Sequence, residues 1–295
     1  MKKITIMSLV MMAMLIIISC SKDDDVTDGN HGNDGGGGSP IVTVVINEDG
    51  TTSNRSTFSV IDEKNFYLDY IKYTIEEGHL IVSGYDQSGF KGVANIVDRI
   101  TYGGDTYKVL KIGRFAFYDC TSLTSLNISN SIKSIGEWAF YHCPHLTSVT
   151  FGNSVTSIGE CAFSLCSGLT SLTIPNSVTS IGKSAFHGCS GLTSVTIPPN
   201  MSRIESSTFS GCGGLTSVTI PKGITFIGGV AFSFCPRLTS IVIEATMPPT
   251  TLPSMCMYDL VTIYVPKKSL ELYKNTSPWK DERFFTLKPI EEKER

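Results

Sequence analysis

Six cysteines, Cys120, Cys143, Cys166, Cys189, Cys212 and Cys235, stand 23 residues apart. The same interval separates Phe117, Phe140, Phe163, Phe186, Phe209 and Phe232, and also Ile112, Ile135, Ile158, Ile181, Ile204 and Ile227. A fourth column runs in step from Leu123 to Leu238. A fixed period of about 20–50 residues marks one supersecondary unit stacked on copies of itself, so the chain is read as a solenoid. A single unit does not fold alone, because about eight inward side chains do not offset the ordering of a whole repeat. Stacking is obligatory, and the core runs unbroken along the array.

Each unit is expected to have two parts. Leu192-Thr-Ser-Val195-Thr-Ile197 alternates from Val195, which predicts one short strand with Val195 and Ile197 inward and Ser194 and Thr196 outward. Pro198 stops it, as Pro175 and Pro221 do in their units. Ala185, Phe186 and Cys189 fall at i, i+1 and i+4, which predicts a single helical turn with one buried side. Gly182 permits a tight entry to that turn.

Stacking also decides what the cysteines do. Equivalent side chains point one way, with about 4.8 Å between rungs. A disulfide needs Cβ atoms turned toward each other, and zinc needs a tetrahedron. The six are therefore expected as free, small core residues. On this reading Cys189→Ser costs about 1–3 kcal/mol, since no partner for a hydroxyl is evident. Cys161 and Cys256 lie off the column, and their spacing leaves their state open.

The unit IPNSVTSIGKSAFHGCSGLTSVTIP resembles the BspA-like leucine-rich repeats of bacterial surface proteins, over about residues 109–243. It departs from the commoner L-x-x-L-x-L-x-x-N repeat, since its cysteine precedes the leucine by three positions. In the fifth unit Glu205 replaces the glycine and Thr208 the alanine. The resemblance implies a curved solenoid and adhesion to host or microbial surfaces, and carries over no ligand. The fold class expected is an α/β solenoid: a right-handed leucine-rich-repeat coil, with a parallel sheet on one face and short helical turns on the other. A β-hairpin cap is expected at the N-terminal end and a strand and helix cap at the C-terminal end.

The first residues read as a targeting segment. Met1-Lys2-Lys3 is a positive start, and Ile4–Ile18 is an apolar run too short to span a membrane. Ile17-Ile18-Ser19-Cys20 resembles a bacterial lipobox, which implies cleavage before Cys20 and its acylation. Loss of Lys2 and Lys3 lowers the formal charge from −3 to −5. Ser21-Lys22-Asp23-Asp24-Asp25 resembles the surface-export signal of Bacteroidetes lipoproteins. The division that follows is 1–19 signal peptide, 20–40 lipid-anchored Gly-rich tether, 41–107 β cap, 108–243 six-unit solenoid, and 244–295 degenerate repeat and cap. The implied location is the outer surface of the outer membrane. In the first cap, Tyr70–Ile75 with Leu80–Tyr85 and Ile100–Tyr102 with Thr106–Leu110 read as hairpins. Leu260, Ile263 and Val265 lie 22 residues after Leu238, Ile241 and Ile243 and predict one more strand, followed by a short helix near Ser269–Lys274.

No motif points to catalysis, a metal or a cofactor. There is no phosphate loop, HExxH or nucleophile elbow. His142, Cys143 and His145 are close in sequence, but the repeat turns Cys143 inward. The charge balance gives no case for nucleic acid. The partners expected are extracellular proteins, or alternatively glycans, and the membrane is met only through the lipid.

Two surfaces are candidates for contact. The outward strand face carries Ser125 and Asn127, Ser148 and Thr150, Ser171 and Thr173, Ser194 and Thr196, and Ser217 and Thr219. These short hydroxyls suit any exposed sheet, and an aromatic platform for sugars is missing from the five rows. The second surface lies where the repeat stops repeating. Projected at 100° per residue, Phe115 and Tyr118 oppose the core side of their turn, and Trp138 and Tyr141 hold the same slots one unit later. Later units place Cys161 and Ser164, Ser184 and His187, Ser207 and Ser210, and Val230 and Ser233 there. The four aromatics form either an interface or the seat of the N-terminal hairpins.

Overall fold

The computed structural model describes residues 43–46, 52, 57–62, 64–102, 104–251, 261–280 and 285–290. Cys20, the signal and tether segments, Leu260 and Cys256 lie outside them. The described chain is a parallel solenoid with the 23-residue rise expected, and Leu126↔Val149, Leu172↔Val195 and Val218↔Ile241 pair in register. These belong to the expected strands, such as Ser125–Ile128 and Ser194–Thr196. Leucine, valine and isoleucine point in, and serine and threonine point out.

Each unit holds a second strand that the sequence pattern did not disclose. Ser134–Ile135, Ser157–Ile158 and Ser180–Ile181 pair in parallel, so Ile112, Ile135, Ile158 and Ile181 form a ladder of their own. Two residues are too few to show alternation. Threonines secure both ladders. The hydroxyl of Thr147 donates to Thr124 O at 3.0 Å, and that of Thr156 to Lys133 O at 3.0 Å. Thr193 and Thr225 repeat these contacts further along.

The expected helical turn is absent from the repeat units. Phe115 and Asp119 have φ of 59° and 57°, and Trp138 and His142 of 58° and 55°. A right-handed helix holds neither value. The segment is instead a run of tight turns, with Tyr118 N–H bonded to Phe115 O and Cys120 N–H to Phe117 O. Alternate amides face the next rung: Phe115, Phe117 and Asp119 N–H donate to the carbonyls of Glu137, Ala139 and Tyr141 at 3.1, 2.6 and 2.8 Å. A helix would spend those donors internally. The turns thus form a third hydrogen-bonded line along the stack.

Side chains stack where the backbone does. The rings of Phe117, Phe140, Phe163, Phe186, Phe209 and Phe232 lie near-parallel, with centroids 5.0–5.7 Å apart. The cysteines are buried and free, as expected. They also have a role that was not foreseen. Cys143 Sγ donates to Phe117 O, and Cys189 Sγ to Phe163 O, each at 3.2 Å and one rung back. A partner for a donor at this position therefore exists, contrary to the expectation for Cys189→Ser.

The glycine after each ladder isoleucine is required by close approach. A Cβ on Gly182 would stand 2.5 Å from Glu160 N, and one on Gly159 would stand 2.6 Å from Glu137 N. Glu205 occupies the same slot in the fifth unit. Among the described residues, strand pairing in the isoleucine ladder stops after Ser180–Ile181 and resumes at Arg203–Ile204. The sheet ladder is interrupted there too, between Ser194–Thr196 and Ser217–Ile220, as it is between Ser148–Thr150 and Ser171–Thr173. Only the turn line continues, through Ser184, Phe186 and Gly188 N–H to Ser206, Thr208 and Ser210 O. The displaced Glu205 pairs with Arg203 Nε at 2.9 Å, and Thr208 donates its hydroxyl to Glu205 O at 2.7 Å.

Both expected hairpins are present at the N-terminal end: Ile71–Glu76 with His79–Tyr85, and Arg99–Tyr102 with Asp105–Ile112. Asp105–Ile112 runs through the expected boundary at 107/108 and ends as a rung of the isoleucine ladder. Val93–Ile96, which was not expected, pairs in parallel with Ser125–Ile128. Tyr85 stacks on Phe117 at 5.5 Å and prolongs the ring column. At the other end Val261–Pro266 pairs with Ser240–Ile243, with Ile263 against Ile241 as expected. A short helix α1, Leu270–Asn275, follows it, and Phe285–Ile290 adds a further parallel strand. Trp279 is buried and donates Nε1–H to Pro249 O at 2.8 Å.

Two outcomes test this packing. Gly159→Ala is expected to lower stability by about 1–3 kcal/mol in chemical denaturation, because the methyl meets backbone that has no room to move. Cys189→Ser is expected to be more stable than Cys189→Ala by about 1 kcal/mol, because serine keeps the donor to Phe163 O. The reverse order in urea melts would show that the thiol serves only by its volume.

Candidate functional site

The aromatic square forms as the sequence suggested, for a different reason. Phe115 and Trp138 are the left-handed residues that open successive turns. That conformation turns their side chains away from the core while Ala116, Phe117, Ala139 and Phe140 turn in. Phe115 meets Tyr118 edge-on at 5.5 Å, and Tyr118 stacks on Tyr141 at 5.1 Å. Trp138 lies 4.7 Å from Tyr141 and 6.4 Å from Phe115. Phe115 is 46% exposed and Tyr118 41%, while Trp138 and Tyr141 are half-buried.

The hairpins do not sit on this square. Their rings, Tyr85 and Phe90, pack on Phe117 in the core instead. Charged pairs frame the square, which the repeat pattern could not show. Arg114 lies 4.6 Å from the centroid of Phe115 and 3.4 Å from Glu137 Oε2. His142 Nδ1 lies 2.5 Å from Asp119 Oδ1. Both pairs link neighbouring rungs. On later rungs these slots hold smaller side chains, with Cys161, Ser164, Ser210 and Ser233 buried, while Phe234 stands 53% exposed on the last turn.

The strand face is flat and regular. Ser125 pairs in register with Ser148, and Asn127 with Thr150. Ser171 pairs with Ser194, and Thr173 with Thr196. Ser217 and Thr219 continue to Ser240 and Val242. The rows extend at both ends beyond the expected residues. Asn127 Nδ2 donates to Asn95 Oδ1 at 2.6 Å on the preceding rung. At the far end Val242, Tyr264 and Lys288 occupy successive rungs of the threonine row. The sequence reading placed no aromatic and no charge on this face, and the structure places one of each.

Residues 105–213 and 166–276 match the BspA type leucine rich repeat region, in six copies. Together they cover more than half of the chain. The chain belongs to the BspA-type leucine-rich repeat family. A T. pallidum leucine rich repeat protein of known structure superposes on this BspA-type solenoid with a TM-score of 0.54 and 26% identity, over 58% of this chain and 78% of that one. A leucine rich cell surface protein from Faecalibacterium prausnitzii A2-165 superposes with a TM-score of 0.50 and 24% identity, over 71% and 72% of the two chains. No curated protein matches the chain.

The BspA-type core is chemically quiet. Burial pushes the thiol of Cys189 well above its ordinary range, and that of Cys235 up to about 11. A thiol held protonated is a poor nucleophile and a poor metal ligand. Cys143 is buried, while His142 and His145 are exposed, so the trio does not converge. Among the described residues no three His, Cys, Asp or Glu side chains are placed to hold a metal. Leucine-rich repeat folds of this kind are generally protein-binding scaffolds.

Proposed function

We propose that this protein is a lipoprotein of the outer membrane, anchored through Cys20 and displayed on the cell surface, whose solenoid binds extracellular protein. Host or microbial surface proteins are the partner class. The lipobox-like Ile17-Ile18-Ser19-Cys20 and the acidic run after it support the anchor and its outward display. Membership of the BspA-type family supports protein binding, and the F. prausnitzii relative is itself described as a cell surface protein.

One observation carries the choice of contact site. Four aromatics occupy two adjacent rungs, two of them more than 40% exposed, with neither of the two described hairpins above them. Tyrosine and tryptophan with a flanking arginine are the usual anchors of protein interfaces. Arg114–Glu137 and Asp119–His142 supply a polar rim on the turn face. No cofactor enters this reading, nor does nucleic acid.

The test uses the full chain against immobilised extracellular-matrix proteins. Phe115→Ser with Tyr118→Ser is expected to abolish capture while lowering Tm by no more than about 2–4 °C, since both rings are already half in water. Normal capture by the double variant would remove this site. Cys20→Ala is expected to release the protein from membranes into the soluble fraction. Its retention there would argue against the lipid anchor, and full protection from protease on intact cells would argue against surface display.

A further inference from the structure

We propose that the C-terminal end of the strand face binds an acidic saccharide, with Tyr264 as its platform and Lys288 as its charge partner. The site lies on a different face from the aromatic square, so each stands or falls without the other.

The register assembles it. Val242, Tyr264 and Lys288 lie side by side on three rungs, and Ser240, Thr262 and Thr286 fill the parallel row. The intervals in sequence are 22 and 24 residues instead of the repeat's 23. A search at fixed period therefore passes over both residues. Val242, Tyr264, Lys288, Pro289 and Ile290 line an open pocket of about 490 Å³. Tyr264 is half-exposed and Lys288 exposed. Lys288 takes part in none of the ion pairs among the described residues. From Asn95 through Thr286 the two rows carry no other charge, and the exposed Glu244 stands beyond them, two residues after Val242.

The chemistry of the face selects the ligand. A pyranose has an apolar C–H face and an edge of hydroxyls. Tyrosine offers a flat apolar body with a polar tip, and the rows of serine and threonine offer donors and acceptors on rotating hydroxyls. Lys288 would meet a carboxylate or sulfate in a charge-assisted hydrogen bond. Ser240, Thr262 and Thr286 put a row of hydroxyls beside the apolar floor made by Val242, Tyr264, Pro289 and Ile290, the pairing a pyranose presents with its C–H face and its hydroxyl edge.

The probe is a hexamer of α-1,4-galacturonic acid, titrated into the full chain by calorimetry beside its methyl ester and beside hexaglutamate. The free acid is expected to bind at least about tenfold more tightly than either. Tyr264→Ala is expected to weaken it by about tenfold, with Tyr264→Phe close to the parent. Lys288→Gln is expected to erase the preference for acid over ester. Lys288 is exposed, so this variant keeps the test decisive even where Tyr264→Ala folds poorly. Equal binding of acid and ester by the parent would overturn the proposal. So would unchanged affinity in a folded Tyr264→Ala variant, hexaglutamate binding as tight as the sugar, or no binding to the hexamer or to a heparin hexasaccharide.

Discussion

Every turn of this chain must rise by one strand spacing and land in register with the turn before. That constraint explains most of what the sequence conserves from unit to unit. Three lines of backbone hydrogen bonds run along the stack: the sheet ladder, the isoleucine ladder and the turn line. A side chain that repeats in sequence therefore meets its own copy in space. Phenylalanines become a stacked column, and threonines become staples from one rung to the carbonyl of the last. Cysteine fits its slot because it is small and its thiol can still donate to the phenylalanine carbonyl behind it. Glycine follows the isoleucine because the rise leaves no room for a Cβ.

The same constraint separates scaffold from surface. Slots inside the three lines are held by stacking and tolerate little change. Outward slots see only solvent and the neighbouring rung. The left-handed slot that opens each turn holds Phe, Trp, Cys, Ser, Ser and Val in succession, because its direction is set by backbone and its contents are not. Recognition can be varied there without touching the core. Phe115 and Trp138 fill that slot at one end of the stack, and Tyr264 and Lys288 fill outward slots of the strand face at the other.

The columns made the solenoid, its core and its strand face legible in the sequence, down to the pairing of Ile263 with Ile241. What escaped had physical reasons. The spacing of Ala185, Phe186 and Cys189 fits a helical turn and a pair of tight turns equally well. Left-handed backbone usually announces itself by glycine, and here it is held by Phe115, Trp138 and Val230. The Ser-Ile strands are too short to alternate. Val93–Ile96 joins the array from outside the period. Tyr264 and Lys288 were hidden by drift in the interval, although the shift that revealed Ile263 also fixed the outward direction of its neighbour. The aromatic square was legible as a breach of the pattern, while its framing pairs, Arg114–Glu137 and Asp119–His142, required the stack itself.

The carboxylate of Glu205 sits where neighbouring units have no side chain, and the consequence reaches beyond one rung. A stack joined along three lines resists bending in every direction. Between the fourth and fifth units two of those lines are interrupted and the turn line alone continues. Side chains carry the joint instead: Phe186 stacks on Phe209 at 5.7 Å, Cys212 Sγ donates to Phe186 O at 3.4 Å, and Asn200 Nδ2 donates to Asn176 O at 2.9 Å. The aromatic square lies on the N-terminal side of this joint, and Tyr264 with Lys288 on the C-terminal side. In an array where each unit touches only its neighbours, such a joint shows how core packing can carry the stack past a unit whose backbone has left the pattern.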